Sequence, residues 1–327
     1  MKRIFVFFII SFTCCVGLFA QNRQTMQHYQ EQIQQQIELV YNAVTDNRRY
    51  HASEEVCQLF EEALSQEDSF KWQWDFGSRI SVLTSPDKRL RVITWPVVRD
   101  NGEYECFGFV QSFNDEEEQY DVYALNDKSD EIVNQEESIL EPANWLGAVY
   151  QNLIQTSYDG HTYYTLLGWS GVDALTQRKV IEPITFKNNS SRPVFGQAVF
   201  RRERNRRRVV LEYTTTAMVN LRFEEQYLRH VERKRVKSKG SKRKTSWAQE
   251  VHDEKYKMII FDEVAPQIPG MEGLFQYYVP TGIEMSYLFV DGRWELHDNA
   301  HGRVTDERLN KDFAPLPKER PAFSFDK

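Results

Sequence analysis

Between Arg229 and Lys244 the chain carries nine lysines and arginines against one glutamate, with Ser238, Gly240 and Ser241 among them. Charge at that density cannot be buried, so the segment reads as a mobile basic loop. Its chemistry is attraction for anions, long in range and weakened by salt. Arg233, Lys234, Arg235, Lys237, Lys242, Arg243 and Lys244 are the expected contact residues. A second basic run, Arg201 to Arg208, stands between two strand-like stretches. The bland alternative is a solvated loop that binds nothing specific.

Groups capable of catalysis are present but poorly arranged. Ser170 lies in Gly168-Trp169-Ser170-Gly171. A nucleophile elbow needs Gly-x-Ser-x-Gly between strand and helix, and here the second glycine comes one residue early. His297 and His301 are four apart, which would face one metal on a helix, but Trp294–Leu296 reads as a strand and its exit. Asp253 and Asp306 are the remaining metal-ligand candidates; no metal and no cofactor is expected. Carboxylates gather at Asp115-Glu116-Glu117-Glu118 and over 127–141. Paired acids cleave glycosides when held about 5–10 Å apart. Consecutive acids at a hairpin tip are more often simply solvated.

The elements that would position these groups begin with the amino terminus. Lys2 and Arg3 precede an apolar run, Ile4 to Phe12, and small residues lead to Leu18-Phe19-Ala20 before Gln21. That is the layout of a cleaved signal peptide over 1–20, too short for a stable membrane span. Cys14 and Cys15 fit a lipoprotein signal poorly, because Thr13 and Phe12 precede them. The net charge is −7, and losing Lys2 and Arg3 makes it two units more acidic. A net-acidic exported chain is not expected to bind nucleic acid. Cys57 and Cys106 then remain as a candidate disulfide between helix and sheet, against the plainer alternative of two buried thiols.

Residues 21–67 read as a helical hairpin. Met26, Tyr29, Ile33, Ile37, Val40 and Val44 form one stripe. Val56, Leu59, Phe60, Ala63 and Leu64 form a second, after an expected N-cap at Ser53. Asp46-Asn47-Arg48-Arg49 looks like the break between them. From Phe70 the texture changes to aromatic and β-branched runs cut by turns. Asn101-Gly102, Asp159-Gly160 and Asp291-Gly292 join such runs and accept the positive φ of tight hairpins. Further strands are expected at 119–126, 178–187, 193–200, 207–213, 216–223 and 256–262. The class is therefore mainly β: an antiparallel meander over 68–300, forming a sandwich, an open barrel or a partial propeller, with a basic insertion at 229–247. Residues 301–327, with Pro315, Pro317 and Pro321, read as an extended tail.

Leu83-Thr84-Ser85-Pro86-Asp87 running to Thr94-Trp95, then Tyr164–Trp169, Ile259-Ile260-Phe261-Asp262 with Ala265-Pro266, and Gly292-Arg293-Trp294 resemble, in that order, an uncharacterised family of exported proteins from Bacteroidota. The resemblance covers about 70–300 and implies a periplasmic or outer-membrane-associated location. It brings no activity. That family has Gly-Trp-Asp-Gly where this chain has Ser170, which weakens Ser170 as a nucleophile, and its counterpart of 229–247 is shorter. The expectation is a non-enzymatic binding or assembly module of the cell envelope. Its partner would be an envelope protein or an anionic envelope component. The alternatives are a secreted hydrolase acting on glycan or peptide, and a small-ligand-binding β-barrel.

Overall fold

The computed structural model describes residues 23–187, 190–237 and 245–297, with 229–237 and 245–253 as backbone. The expected signal over 1–20 and the tail over 301–327 lie outside the described residues. Two helices pack on three stacked antiparallel sheets. No described helix is long and apolar enough to cross a membrane.

Helices α1 (23–42) and α2 (Asp46–Leu64) form the expected hairpin. The turn comes earlier than the polar break suggested. Asp46 to Arg49 is the first turn of α2, where Asp46 ion-pairs Arg49 at i+3. Val44, the last residue of the expected stripe, is exposed in the turn. Ser53 is no N-cap; it is buried mid-helix and accepts a hydrogen bond from Trp95 Nε1 at 3.0 Å.

The first sheet is the meander β1 (Ser81–Thr84), β2 (Leu90–Val98), β3 (Tyr104–Asn114) and β4 (Gln119–Asn126). Both of its faces are buried, and strand alternation divides them. Ile93, Trp95, Val97 and Phe109 face the helices, with Phe60 of α2 stacked on Trp95 at 5.6 Å between centroids. Leu90, Val92, Cys106 and Val110 face the second sheet.

That sheet holds β5 (Val149–Tyr158), β6 (His161–Gly171), β7 (Thr176–Phe186), β8 (Pro193–Phe195) and β9 (Val209–Thr214). Tyr150, Tyr164, Leu166, Val180 and Ile184 meet the first sheet; Ile154, Leu167, Ile181 and Val209 meet the third. Strand β8 stops short of the expected 193–200 because Gly196 turns left-handed at φ 89°.

The third sheet is β10 (Leu221–Lys237), β11 (Thr245–Pro266), β12 (Tyr278–Val290) and β13 (Arg293–His297). Asp159-Gly160 has φ 48° and 76° and Asp291-Gly292 has 50° and 75°, the paired left-handed turns the sequence predicts. At Asn101-Gly102 only Gly102 is left-handed, and the loop 100–102 is closed by Arg99 N–H donating to Glu103 O at 2.8 Å.

Sandwich is thus the right member of the expected set, because the sheets stack and do not close. The aromatic residues fill the interfaces between layers: Trp95, Trp145 and Trp294 are fully buried. The candidate disulfide is not formed. Cys57 and Cys106 are free. Cys57 packs against the helix side of the first sheet, whereas Cys106 belongs to the cluster on its opposite face, so the sheet lies between them.

Candidate functional site

Strand β12 leaves β11 after the pair Met258↔Leu288, and from Lys257 outward β11 is paired with β10 alone. The paired run ends at Lys237↔Thr245. At a strand rise of about 3.4 Å this two-stranded arm is roughly 40 Å long. The basic segment is therefore not a free loop over its whole length. Arg233, Lys234, Arg235 and Lys237 sit on β10, opposite Gln249, Ala248, Trp247 and Thr245. Lys242, Arg243 and Lys244 lie outside the described residues.

Register sorts the arm into two faces, since residues opposite one another share a face and alternate along the strand. One face carries Arg229/Asp253, Val231/Val251, Arg233/Gln249, Arg235/Trp247 and Lys237/Thr245. The other carries His230/His252, Glu232/Glu250, Lys234/Ala248 and Val236/Ser246. Three of the four described contact candidates, Arg233, Arg235 and Lys237, thus share a face, and Lys234 does not. The first face continues the side of β10 whose Leu221 and Phe223 pack toward the second sheet. The chain is apolar at Leu221 and Phe223, where it has a layer beneath it, and becomes cationic from Arg233 outward along the arm.

The other basic run has the opposite fate. Arg201 pairs with Asp291 at 3.2 Å and Glu295 at 3.4 Å. Arg206 pairs with Glu203 and Glu136. Arg208 is fully buried, and its Nε meets Glu182 at 2.6 Å. Glu182 is equally buried and accepts from the Tyr150 hydroxyl at 3.4 Å, which in turn accepts from Trp145 Nε1 at 2.8 Å. Burial pushes the Glu182 carboxyl above its ordinary range, with Arg208 pulling it back. This network lies between the first and second sheets and ties β7 to the 135–140 segment and to β8, since Arg208 also donates to the carbonyls of Gln135 and Phe195.

The remaining candidates fall into structural roles. Ser170 is buried within β6, and its hydroxyl donates to the Gly171 carbonyl at 3.1 Å. His297 ends β13, and His301 lies outside the described residues. Asp115 pairs with Arg89 at a hairpin tip. The cleft between Arg99, Glu103, Glu105, Asp127–Glu131 and Asp173 is rich in carboxylates, and most of them are engaged. Arg99 pairs with Glu103 and Glu105, and Lys128 with Glu131. Asp127 accepts the Cys106 and Ser129 amides at 2.8 and 3.0 Å. Among the side chains described, no three His, Cys, Asp or Glu converge as a metal site.

Comparison with protein families, with curated proteins and with solved structures found no match. Sequence reasoning missed Glu182, Arg208 and the arm. A glutamate inside Val180-Ile181-Glu182-Pro183-Ile184 was a usable signal for the buried pair. The alternation of Arg233, Arg235 and Lys237 was one for the arm.

Proposed function

We propose that this is an exported, non-enzymatic binding or assembly module of the cell envelope, and that its β10–β11 arm engages an anionic envelope component such as clustered lipid phosphates. The observation that carries it is the register, which collects Arg233, Arg235 and Lys237 on one face of a projecting ribbon. A two-stranded ribbon is marginally stable by itself in water, so contact with a partner would add to its stability. Basic β-ribbons also enter nucleic-acid grooves. The signal-like residues 1–20 and the resemblance to exported proteins direct this arm to envelope anions instead.

The test is sedimentation with vesicles of zwitterionic lipid, with and without anionic lipid, at low and high salt. A basic residue near an anionic surface contributes roughly 1 kcal/mol, so changing Arg233, Arg235 and Lys237 to serine should weaken low-salt binding by about a hundredfold. High salt should abolish the difference. Unchanged binding by the triple variant sinks the proposal. Capture of a defined envelope protein that is lost with residues 229–244, without vesicle binding, replaces it with a protein-docking role.

A further inference from the structure

Strand β11 carries two extensions that run in opposite directions. At one end, outward from Lys257, it pairs with β10 alone and forms the basic arm. At the other end β10 stops at Leu221↔Phe261, and β13 reaches no farther than Ser286↔His297. From Val264↔Pro280 to Pro266↔Tyr278, β11 therefore pairs with β12 alone. This second hairpin is acidic. Residues 258–292 hold Asp262, Glu263, Glu272, Glu284 and Asp291, with neither lysine nor arginine among them. Arg222 pairs with Glu284 and Arg201 with Asp291. Glu263 accepts from the Thr281 hydroxyl at 2.8 Å and Glu272 from the Gly270 amide at 3.4 Å; among the described residues neither has a cationic partner. The hairpin is also apolar on its surface. Ile268, Leu274, Phe275, Tyr277 and Ile283 are each at least 37% exposed. Single exposed apolar residues are ordinary, but five on one hairpin concentrate apolar surface at one end of the sheet. The turn Phe275–Tyr277 lies against β9, which holds that surface to the body of the protein.

We propose that this acidic, apolar hairpin receives the basic arm of a second copy, so that the chain assembles head to tail. The two surfaces are complementary in charge. Arg233, Arg235 and Lys237 share one face of the arm, with Trp247 opposite Arg235 on that face. Arginine and tryptophan are the residue types enriched where protein interfaces gain most of their affinity. Within one molecule the tip of the arm and the second hairpin are roughly 70 Å apart along β11, at a rise of about 3.4 Å per residue. Neither can satisfy the other in the same chain. The contact joins two different surfaces, so each added copy leaves one arm and one hairpin free, and growth continues to a ring or a filament. This inference goes beyond the anion reading. It shares the cationic face of the arm with that reading and adds a receptor surface at the other end of the sheet.

The experiment is sedimentation velocity of the purified protein without lipid, over a range of concentrations, at low and high salt. Wild type should pass from monomer to species larger than a dimer as concentration rises, and high salt should reverse this. An arm variant, Arg233→Ser/Arg235→Ser/Lys237→Ser, and a hairpin variant, Glu263→Gln/Glu272→Gln/Leu274→Ser, should each weaken association by about tenfold, because several exposed ion pairs are lost at once. Urea melts matching wild type establish that both variants fold; if the hairpin variant melts early, Glu272→Gln/Leu274→Ser, which changes two exposed residues, takes its place. At a concentration where each variant alone is monomeric, an equimolar mixture should form a dimer and stop there. The one intact junction joins the arm of the hairpin variant to the hairpin of the arm variant. A wild type that stays monomeric or halts at a dimer overturns the proposal, and so does a mixture no more associated than its components. Vesicle binding by the hairpin variant should equal that of wild type, since its arm is intact. Vesicle binding without assembly therefore removes this inference and leaves the anion proposal standing, and assembly without vesicle binding does the reverse.

Discussion

Replacing Arg208 with methionine should destabilise the protein severely, and in a way that depends on pH. Both partners of the Arg208–Glu182 pair are fully buried, with nitrogen and oxygen 2.6 Å apart. Methionine fills most of the volume and removes the charge. Glu182 is then left in the interior with the Tyr150 hydroxyl at 3.4 Å as its remaining hydrogen bond. Removing one partner of a buried pair costs about 3–5 kcal/mol, because the other charge is stranded. A domain with a total stability of about 5–15 kcal/mol would feel this as a large fraction of the whole. The Phe195 carbonyl keeps the Leu140 amide at 2.9 Å, so it is not orphaned by the change.

The stranded carboxyl has a second effect. Burial already raises Glu182 above its ordinary value, and loss of Arg208 removes the cation that opposes this. The folded state then holds the proton at a pH where the unfolded state, titrating near 4.3, has released it. A raised folded pKa contributes stability that is full below the unfolded value and is lost as pH rises through the folded value. Between those limits the variant should lose up to about 1.4 kcal/mol per pH unit relative to one lacking the acid. Urea melts of wild type, Arg208→Met and the double variant Glu182→Leu/Arg208→Met, each at several pH values from 4 to 8, measure this. The double variant should regain most of the loss at pH 7, retaining about 1–3 kcal/mol for the Gln135 carbonyl left unpaired. A single variant within 1 kcal/mol of wild type at pH 7, or one whose deficit is flat in pH, would refute the reasoning.

Two further outcomes follow from the same structure. Arg91 is buried without an acidic partner and donates to the carbonyls of Phe70 at 2.7 Å, Trp72 at 3.1 Å and Ser69 at 3.3 Å, with Phe70 beneath its guanidinium. Burial lowers its pKa to about 10, which leaves it charged at neutral pH. Arg91→Met should cost about 3 kcal/mol through unpaired carbonyls and loosen the 69–72 turn that joins helices to sheet, read by urea melts and by hydrogen exchange. For the cysteines, burial pushes the Cys57 thiol up to about 12 and Cys106 higher still. Iodoacetamide at pH 8 should therefore label neither in the native protein and both in urea without prior reduction; a molecule unlabelled in urea until reduced would restore the disulfide.

What was legible in the sequence was local. Asp159-Gly160 and Asp291-Gly292 specify their turns through backbone sterics that involve no distant residue, and they predict those hairpins correctly. The helical stripe from Met26 to Val40 is buried as its period requires. The failures are non-local. Charge density from Arg229 onward says that those residues cannot enter a core, but it does not say that they form a loop. A two-stranded arm satisfies its backbone groups across the pair while leaving both faces in water, so a charged sequence can be strand without being core. Strand parity places Cys106 on one face of β3 and Phe107 and Phe109 on the other, but which face the helices cover is decided by packing. Glu182 and Arg208 are 26 residues apart and meet only because β9 pairs with β7.

The two faces of the arm also differ along its length, which bears on where an anion would sit. On the way out, Arg229 stands opposite an acid, Asp253, and Val231 opposite Val251. Farther out, Arg233, Arg235 and Lys237 face Gln249, Trp247 and Thr245, none of them acidic. Uncompensated positive charge on this face therefore begins at Arg233 and extends outward, while the like-charged Glu232/Glu250 pair on the other face sits beside its start. The prediction peculiar to this arrangement is that Arg235→Ser weakens low-salt vesicle binding more than Arg229→Ser does, because Arg229 stands opposite an acid and Arg235 does not. Equal losses from the two variants would refute this placement of the anion.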